Sequence, residues 1–549
     1  MKLLNKISVL LILAGYFFIA MPYLTNPFVA FIGAILSIFT AFYIFDSKSI
    51  TQHEKLKAQK QISGQWWEMF LNHPARMMLT TFMVLCCFGT ILLILPISAS
   101  NNNLSISNSN SNLSNSISNN SIKSLTSSNS NDILSISASN KLESFRKSIN
   151  IIDAAFTSVS AVCVTGLVVL DTPKDFSVTG QAFILLLIQL GGLGIMSITT
   201  VGLHAMGRRL TLRQERLLTT ITDTDHKDLI DSLSLIIKFT FTVEGFGAII
   251  LTLLFYYQTG DTFSQALWSG LFTSISAFCN AGFALQSDNL IPYKEFPLIL
   301  HTVAALIILG GIAPATTLLI PKWIKGQNIP VASYIALATT AILLISGTLF
   351  ILVFDWNGVL SNLSILDKIH NAWFQSVTLR TAGFNSVDIA GVTAPTFLIM
   401  ICLMFIGGSP GGTAGGIKTT TMGILVLTFW ANITNNKSVV VLNRRIQSRV
   451  IYRAITIAAS GALTWVVMVL MLEVTQQIPV SEIIFEVTSA MATVGLSTGA
   501  TMKLDEIGKI IIMITMFAGR ICPITIFMLL SEERYDNSSR YQNAKISLT

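Results

Sequence analysis

Windows of about 20 mostly apolar residues recur along the 549-residue chain, near 7–24, 28–45, 77–97, 180–203, 233–257, 297–320, 332–354, 394–429, 451–473 and 506–530. Each is long enough to cross the hydrocarbon core of a bilayer as a helix. Lipid offers no partner to a backbone N–H or C=O, so a spanning segment has to close its hydrogen bonds within itself. The composition agrees: 52 % of residues are hydrophobic and 11 % charged, where an ordinary soluble protein carries roughly 25 % charge. A string of soluble domains, the expectation from length alone at roughly 150 residues each, is excluded. The expected fold class is an all-α polytopic membrane protein, seated in the cell (inner) membrane.

Lys+Arg 35 against Asp+Glu 28 leaves a net charge of +7. The basic residues are scattered between apolar runs instead of forming one stripe, so the excess reads as topology and nucleic acid is not an expected partner. Lys48, Lys55, Lys57, Lys60 and Arg76 fall in one loop, Arg208, Arg209, Arg213 and Arg216 in another, and Lys437, Arg444, Arg445 and Arg449 in a third. These loops share one side, which is therefore cytoplasmic, and an even number of spans puts both termini there. Met1 to Leu24 has no small-residue cleavage site and reads as a retained first helix. The six cysteines (Cys86, Cys87, Cys163, Cys279, Cys402, Cys522) all lie in apolar segments, with neither disulfide nor zinc spacing. Ser98 to about Asn140 is an Asn/Ser-rich, low-complexity external insertion, whose N-x-S matches at Asn103 and Asn119 follow from that composition.

Four apolar segments are too short to cross: Asp153 to Leu167, Gln265 to Phe283, Ile369 to Phe384 and Ser481 to Leu496. They contain FTSVSAVCVTGL from Phe156, FTSISAFCNAGF from Phe272, WFQSVTLRTAGF from Trp373 and FEVTSAMATVGL from Phe485. An aromatic residue precedes a glycine by ten positions in all four, and Leu or Phe follows it. The pairs Gly191-Gly192, Gly310-Gly311, Gly407-Gly408 and Gly519-Arg520 begin 25, 28, 24 and 24 residues after Gly166, Gly282, Gly383 and Gly495. Two of the pairs place a proline four residues on, at Pro314 and Pro523. Internal repeats of this kind specify architecture. The expectation is four tandem helix–pore-loop–helix units with pseudo-fourfold symmetry, plus two extra N-terminal transmembrane helices. The boundaries are 1–50 for the N-terminal hairpin, 51–76 for a cytoplasmic linker, and 77–205, 206–325, 326–435 and 436–531 for the four units. The third unit carries an intramembrane loop at 407–416, and 532–549 forms a cytoplasmic tail.

Irregular backbone at membrane depth is tolerated where it is buried or lines a water-filled path. Four glycine loops on one axis meet that condition, because glycine turns consecutive carbonyls toward a common line and carbonyl rings replace the hydration shell of a monovalent cation. The negative C-terminal ends of the short helices point the same way. Asp153, at the outer start of the first, reads as a helix cap. Only Arg380 puts a fixed charge near a loop; the aligned residues are Cys163, Cys279 and Ala492. The bland alternative is that the glycines merely let helices pack closely, and four copies in register argue against it.

AVCVTGLVVLDT, LLIQLGGLGIM, CNAGF, LRTAGFNSVD, GGSPGGTAGGIKTTT and ATVGLSTG resemble the pore and gate segments of the Trk/Ktr/HKT superfamily of potassium transporters, its KtrB/TrkH-like membrane pore subunits above all. The resemblance covers about Pro74 to Leu530. It implies filter carbonyls from Val164, Thr165 and Gly166, from Asn280, Ala281 and Gly282, from Thr381, Ala382 and Gly383, and from Thr493, Val494 and Gly495. Glycine at all four filter positions implies K+ as the transported ion, with nothing bound covalently. The two N-terminal spans look like those of the Trk type, whereas LPIS at Leu95 to Ser98 and the pore segments look more like Ktr. A homodimer on a cytosolic KtrA/TrkA-like ring of nucleotide-binding regulatory subunits is implied too, with Arg208 to Arg216 and Arg444 to Arg453 as contacts.

The window at 394–429 is too long for one regular span, and Gly407, Gly408, Ser409, Pro410, Gly411, Gly412, Thr413, Ala414, Gly415 and Gly416 at its middle cannot hold a helix. Two half-helices joined by a flexible loop are expected. The resemblance makes that loop the gate, with Lys418 and Thr419 to Thr421 following it. A nucleotide-binding P-loop is excluded, because Ile417 separates Gly416 from Lys418. Arg520 lies too deep to snorkel, and a buried intramembrane arginine is costly unless functional. It matches the family arginine that faces the gate loop, a positive barrier beneath the cavity; the plainer alternative pairs it with a carboxylate. Glu244 and Lys238 read as structural. An alternating-access carrier of inverted repeats is disfavoured because all four units run the same way. An enzyme is disfavoured because the six histidines (His53, His73, His204, His226, His301, His370) are dispersed. The alternative within the superfamily is a sodium- or proton-coupled carrier of different ion preference.

Overall fold

The structure, a computed structural model, describes residues 74–100, 149–193, 229–436 and 438–521. The expected N-terminal hairpin, the linker before Pro74, most of the Asn/Ser-rich insertion, the Arg208 to Arg216 loop, Lys437, Cys522, Pro523 and the tail lie outside the described residues. Helices dominate: α1 (Pro74–Ile94), α2 (Ile151–Val162), α3 (Val178–Gly192), α4 (Leu229–Leu254), α5 (Phe263–Phe278), α6 (Pro297–Gly311), α7 (Val331–Asp355), α8 (Ile365–Thr378), α9 (Ala394–Met404), α10 (Thr419–Ile433), α11 (Ser448–Thr475), α12 (Val480–Ala492) and α13 (Glu506–Ile521). A two-residue hairpin, Val440–Val441 against Arg444–Arg445, links α10 to α11 and leaves both arginines exposed.

Leu235–Thr259, Val331–Asp355 and Ser448–Thr475 are each long and apolar enough to cross a membrane. Their outward faces expose Phe246, Ile249, Ile342, Val353, Leu470 and Val474, which suits a solvent of hydrocarbon. Local chemistry starts the other helices. Ser177 accepts from the N–H of Gly180, Ser364 from that of Asp367, and Thr262 forms a capping box with Gln265. The 12- to 16-residue helices α2, α5, α8 and α12 reach only about 18–24 Å at 1.5 Å per residue.

Two contacts recur between these short helices and their neighbours. Ser158 donates to the Cys86 carbonyl, Ser274 to Glu244 and Ser376 to Leu344, at 2.7–2.8 Å. Three residues on from each acceptor stands a glycine (Gly89, Gly247, Gly347) whose missing Cβ would strike that serine. On the other flank, Gly191, Gly310 and Gly519 lie against the carbonyls of Val162, Phe278 and Met491, each four residues before a loop glycine. Gly407, their counterpart in the third segment, lies instead against Gly415.

Two expectations need correction. The window at 297–320 is not one straight span: α6 ends at Gly311, and the chain resumes at Pro314 with a bend of 113°. Pro314 has no N–H to continue the ladder, and the carbonyls freed at the end of α6 are taken by another segment, described below. Asp153 is not the cap of α2, whose N-cap is Asn150. Its carboxylate binds Lys509 Nζ at 2.6 Å, both side chains being mostly buried, and so ties α2 to α13. The segment between α9 and α10 is a hydrogen-bonded loop between two helices.

Replacing Gly310 with valine is expected to lower the thermal unfolding temperature of detergent-purified protein clearly, because overpacking against the Phe278 carbonyl costs about 1–3 kcal/mol or more. Gly245→Ala, where nothing lies within 4 Å of the new methyl, is expected to be neutral or stabilising by about 1 kcal/mol in the same measurement.

Candidate functional site

Each short helix ends in the same backbone sequence. Val164, Asn280, Thr381 and Thr493 have φ of 55°, 60°, 70° and 53°, and the glycines two residues on, Gly166, Gly282, Gly383 and Gly495, have φ of 93°, 72°, 75° and 93°. Left-handed conformation at a β-branched residue is costly, and here it occurs three times in register. The four loops then meet in cyclic order. A Cβ on Gly166 would strike the Ala281 carbonyl, one on Gly282 that of Ala382, one on Gly383 that of Val494, and one on Gly495 that of Thr165. Thr165, Ala281, Ala382 and Val494 are all fully buried. The twelve candidate residues expected from the sequence are thus brought together as one closed ring of backbone.

Buried hydroxyls hold this backbone. Ser160 and Ser489 accept from the N–H groups of Gly166 and Gly495 at 3.1 and 3.0 Å, while Ser276 donates to the Phe283 carbonyl at 2.7 Å. All three stand six residues before their glycines; the third loop has Val377 there. Glu486, fully buried in α12, accepts from Ser497, Thr498 and Thr501 and anchors the chain leaving the fourth loop.

A cavity of about 240 Å³ lies over the ring, lined by all four glycines and by Asp171, Gln286, Asp288, Asn289 and Ser497 among others. The Asn289 amide reaches the carbonyls of Gly282 and Gly383 at 3.4 and 3.5 Å. At the rim, Asp171 binds Lys174 at 2.8 Å, and the hydrogen bond and charge of that carboxylate push the Lys174 pKa upward.

On the other side of the ring stands the loop between α9 and α10. A bridge between Ile406 and Ile417 closes its base, with the Gly407 N–H donating to Ile417 at 2.8 Å. Ser409 and Thr413 donate their N–H groups to the carbonyls of Gly311 and Gly310 at 2.9 and 3.0 Å. Those are the last carbonyls of the interrupted α6, which lack helical partners, so the loop caps the broken helix. Gly411 and Gly416 have positive φ (78° and 65°). Gly407, Gly408, Gly412 and Gly415 are needed for close approach: a Cβ on Gly412 would strike Gly311, and one on Gly415 would strike Thr493. Lys418 donates to the Ala414 carbonyl at 2.6 Å. Arg520 donates from Nη1 to the Thr413 carbonyl and from Nη2 to that of Gly191 at 2.7 Å. Among the described residues no carboxylate pairs with it.

Residues 105–541 match the TrkH family model, described as cation transport protein. The chain belongs to the TrkH cation transport protein family. Among relatives of this TrkH-family chain, the potassium/sodium uptake protein NtpJ of Enterococcus hirae is 34 % identical over 73 % of the chain and 90 % of the relative. The Ktr system potassium uptake protein B of Bacillus subtilis is likewise 34 % identical, over 73 % and 91 %. The crystal structure of the potassium transporter TrkH from Vibrio parahaemolyticus shares the fold with a TM-score of 0.57 at 18 % identity, covering 71 % of this chain and 80 % of that one. The TrkH-family chain is a helical, multi-pass membrane protein.

Some features of the TrkH-family fold were not read from the sequence. His301 and His370 are not dispersed: His301 Nε2 lies 2.9 Å from His370 Nδ1, joining α6 to α8. Glu244, 3 % exposed, accepts from Gln189 at 3.2 Å and lies 3.7 Å from the Cys279 thiol, a polar knot fastening α3, α4 and α5. No local motif announces either contact. The five described cysteines are all free thiols. Ser489→Ala, which strands the buried Gly495 N–H, is expected to destabilise the purified protein by about 1–3 kcal/mol in thermal unfolding, and Ser497→Ala, nearer the surface, by less.

Proposed function

We propose that this chain is the pore-forming subunit of a potassium uptake system, with the ring of four loops as its selectivity filter. The observation that carries the reading is the cyclic contact of Gly166, Gly282, Gly383 and Gly495 with the carbonyl-bearing residue of the next loop. Four span–pore-helix–span units around one axis account for that contact, and two further N-terminal spans precede them. The chain sits in the cell membrane with both termini cytoplasmic.

A K+ ion enters the outer cavity, drawn by Asp171 and Asp288. It sheds water as carbonyls of Val164, Thr165 and Gly166 and of their counterparts in the other loops replace the hydration shell. Binding stays weak enough for release because these carbonyls are neutral, and the negative ends of α2, α5, α8 and α12 supply a further diffuse attraction. Beneath the filter, the loop from Gly407 to Gly416 obstructs the exit, and Arg520 adds a positive charge to the obstruction. Opening requires the loop to leave Gly310 and Gly311. A homodimer on a cytosolic nucleotide-binding ring of the KtrA/TrkA kind controls that step, with the exposed Arg444 and Arg445 hairpin as one contact. One relative is named for both potassium and sodium, which favours Na+ as a competing or accompanying ion as the second reading.

Rubidium uptake into proteoliposomes, with sodium present or absent, tests the reading, and sodium-dependent uptake would favour the second. Gly383→Asp places a side chain and a charge in the ring and is expected to reduce uptake at least tenfold, the loss expected of a filter held to about 0.5 Å; wild-type rate and affinity would refute the filter assignment. Arg520→Ala is expected to leave uptake intact or faster while weakening its control. Abolished transport by a folded variant would refute the barrier role.

A further inference from the structure

The ring and Arg520 leave a second buried arginine without a role. Arg380 is 8 % exposed and stands just beyond the C-cap of α8, where the other loops carry Cys163, Cys279 and Ala492. Among the described residues no carboxylate pairs with it. Its Nη2 donates to the Gly407 carbonyl at 3.3 Å, and its Nε is buried without a partner. Beside it lies a cavity of about 10 Å³, lined by Gly311, Ile312, Leu344, Val377 and Gly408 together with Arg380 itself. That is room for about one water molecule.

A guanidinium without a counter-charge inside a membrane protein costs several kcal/mol. As a fastener it would be inferior to an apolar side chain of the same size. Its hydrogen bond goes to the residue where the loop leaves α9, while Arg520 holds the same loop at Thr413, near its far end. The Gly408 backbone walls the small cavity, and a Cβ on Gly408 would strike Gly311, so withdrawal of the loop from Gly311 widens that cavity and opens the free Nε to water. Arg380 therefore grips the loop when it is docked and is released to bulk water when it is not.

We infer that Arg380 is a second latch on the loop, a positioning residue that holds its root at Gly407 as Arg520 holds Thr413, and that links the loop to the third filter segment, which begins at the next residue. This rests on the reading of the loop as a gate. Because the latch acts on the loop and not on the ring, its removal changes how often the pore is open and leaves ion affinity alone.

The test is rubidium uptake by the full chain in proteoliposomes without any regulatory partner, for Arg380→Met, Arg380→Lys, Arg520→Ala and the Arg380→Met/Arg520→Ala pair. Arg380→Met is expected to raise the basal maximal rate roughly tenfold, as loss of one charge-assisted hydrogen bond to the closed state would, at unchanged KM. Arg380→Lys, which keeps the charge and protects folding should the methionine variant not be recovered, is expected to show a smaller rise. The pair is expected to be less than the product of the two singles. A wild-type basal rate in either folded Arg380 variant while Arg520→Ala is fast would overturn the latch and leave the gate standing. If Arg520→Ala and both Arg380 variants are all at the wild-type rate, the gate reading fails and the latch fails with it. A raised KM at unchanged maximal rate would also overturn it, assigning Arg380 to the filter.

Discussion

Four positions at which a methyl group cannot exist organise the molecule. Gly166, Gly282, Gly383 and Gly495 each stand against a main-chain carbonyl of the next loop, and a side chain at any of them would push that neighbour outward and open the circle. The demand propagates. For the loops to reach one another, the short helices must be held at fixed depth, so their serines bond to the carbonyls of Cys86, Glu244 and Leu344 while Gly89, Gly247 and Gly347 allow the helices to touch. On the opposite flank Gly191, Gly310 and Gly519 perform the same service. Small residues in membrane helices commonly trade side-chain volume for close backbone approach. Here the trade is repeated layer by layer outward from the ring.

The third segment breaks the pattern, and its departures belong together. It lacks the serine that holds Gly166 and Gly495, having Val377 instead. Its spanning glycine, Gly407, faces its own loop rather than a short helix. The span that should follow is split into α9 and α10 around a loop whose N–H groups cap the carbonyl end of α6. A helix interrupted by proline usually has to find partners for its last carbonyls in water. In this chain the break at Pro314 and the glycine loop complete each other, so undocking the loop leaves the carbonyls of Gly310 and Gly311 in search of water. Under the proposed gating, docked and undocked states would differ by a few exchangeable hydrogen bonds, the kind of small difference that a regulatory contact is able to tip.

The family and the location of the unusual backbone were legible in the sequence because glycine, unlike other residues, signals its reason for being there. Ten residues from aromatic to glycine, repeated at Phe156, Phe272, Trp373 and Phe485, placed the loop residues that the structure brings together. What was not legible depends on contacts across long separations. Nothing near Asp153 announces Lys509, and a carboxylate in the first turn of a helix resembles a cap in any sequence. The break after Gly311 was hidden by the hydropathy of the window at 297–320, since apolar composition measures fit to lipid and says little about continuity of the helix. Likewise His301 and His370 lie 69 residues apart, on elements whose adjacency only the assembled fold supplies. Glycine permits both mobility and close approach, and four glycines of the loop between α9 and α10 serve close approach here.

The buried charges sort themselves by the same logic. Lys509 is paired with Asp153, and each neutralises the other, as suits a contact that ties α2 to α13. Arg380 and Arg520 bond to main-chain carbonyls instead. A carbonyl dipole compensates a guanidinium less completely than a carboxylate does, which leaves residual positive potential on the protein side of the path. For a conduit of cations that residue has two consequences. Under the proposed gating, it opposes a cation on its way out while the loop is docked; with the loop withdrawn Arg380 would lose its carbonyl, Arg520 would keep only that of Gly191, and water would screen both. Pairing either arginine with an acid would stabilise the fold further and remove that difference between the two states. Their lack of acidic partners among the described residues therefore fits the gate proposed for this path, whereas a contact between helices is served by the pair at Asp153.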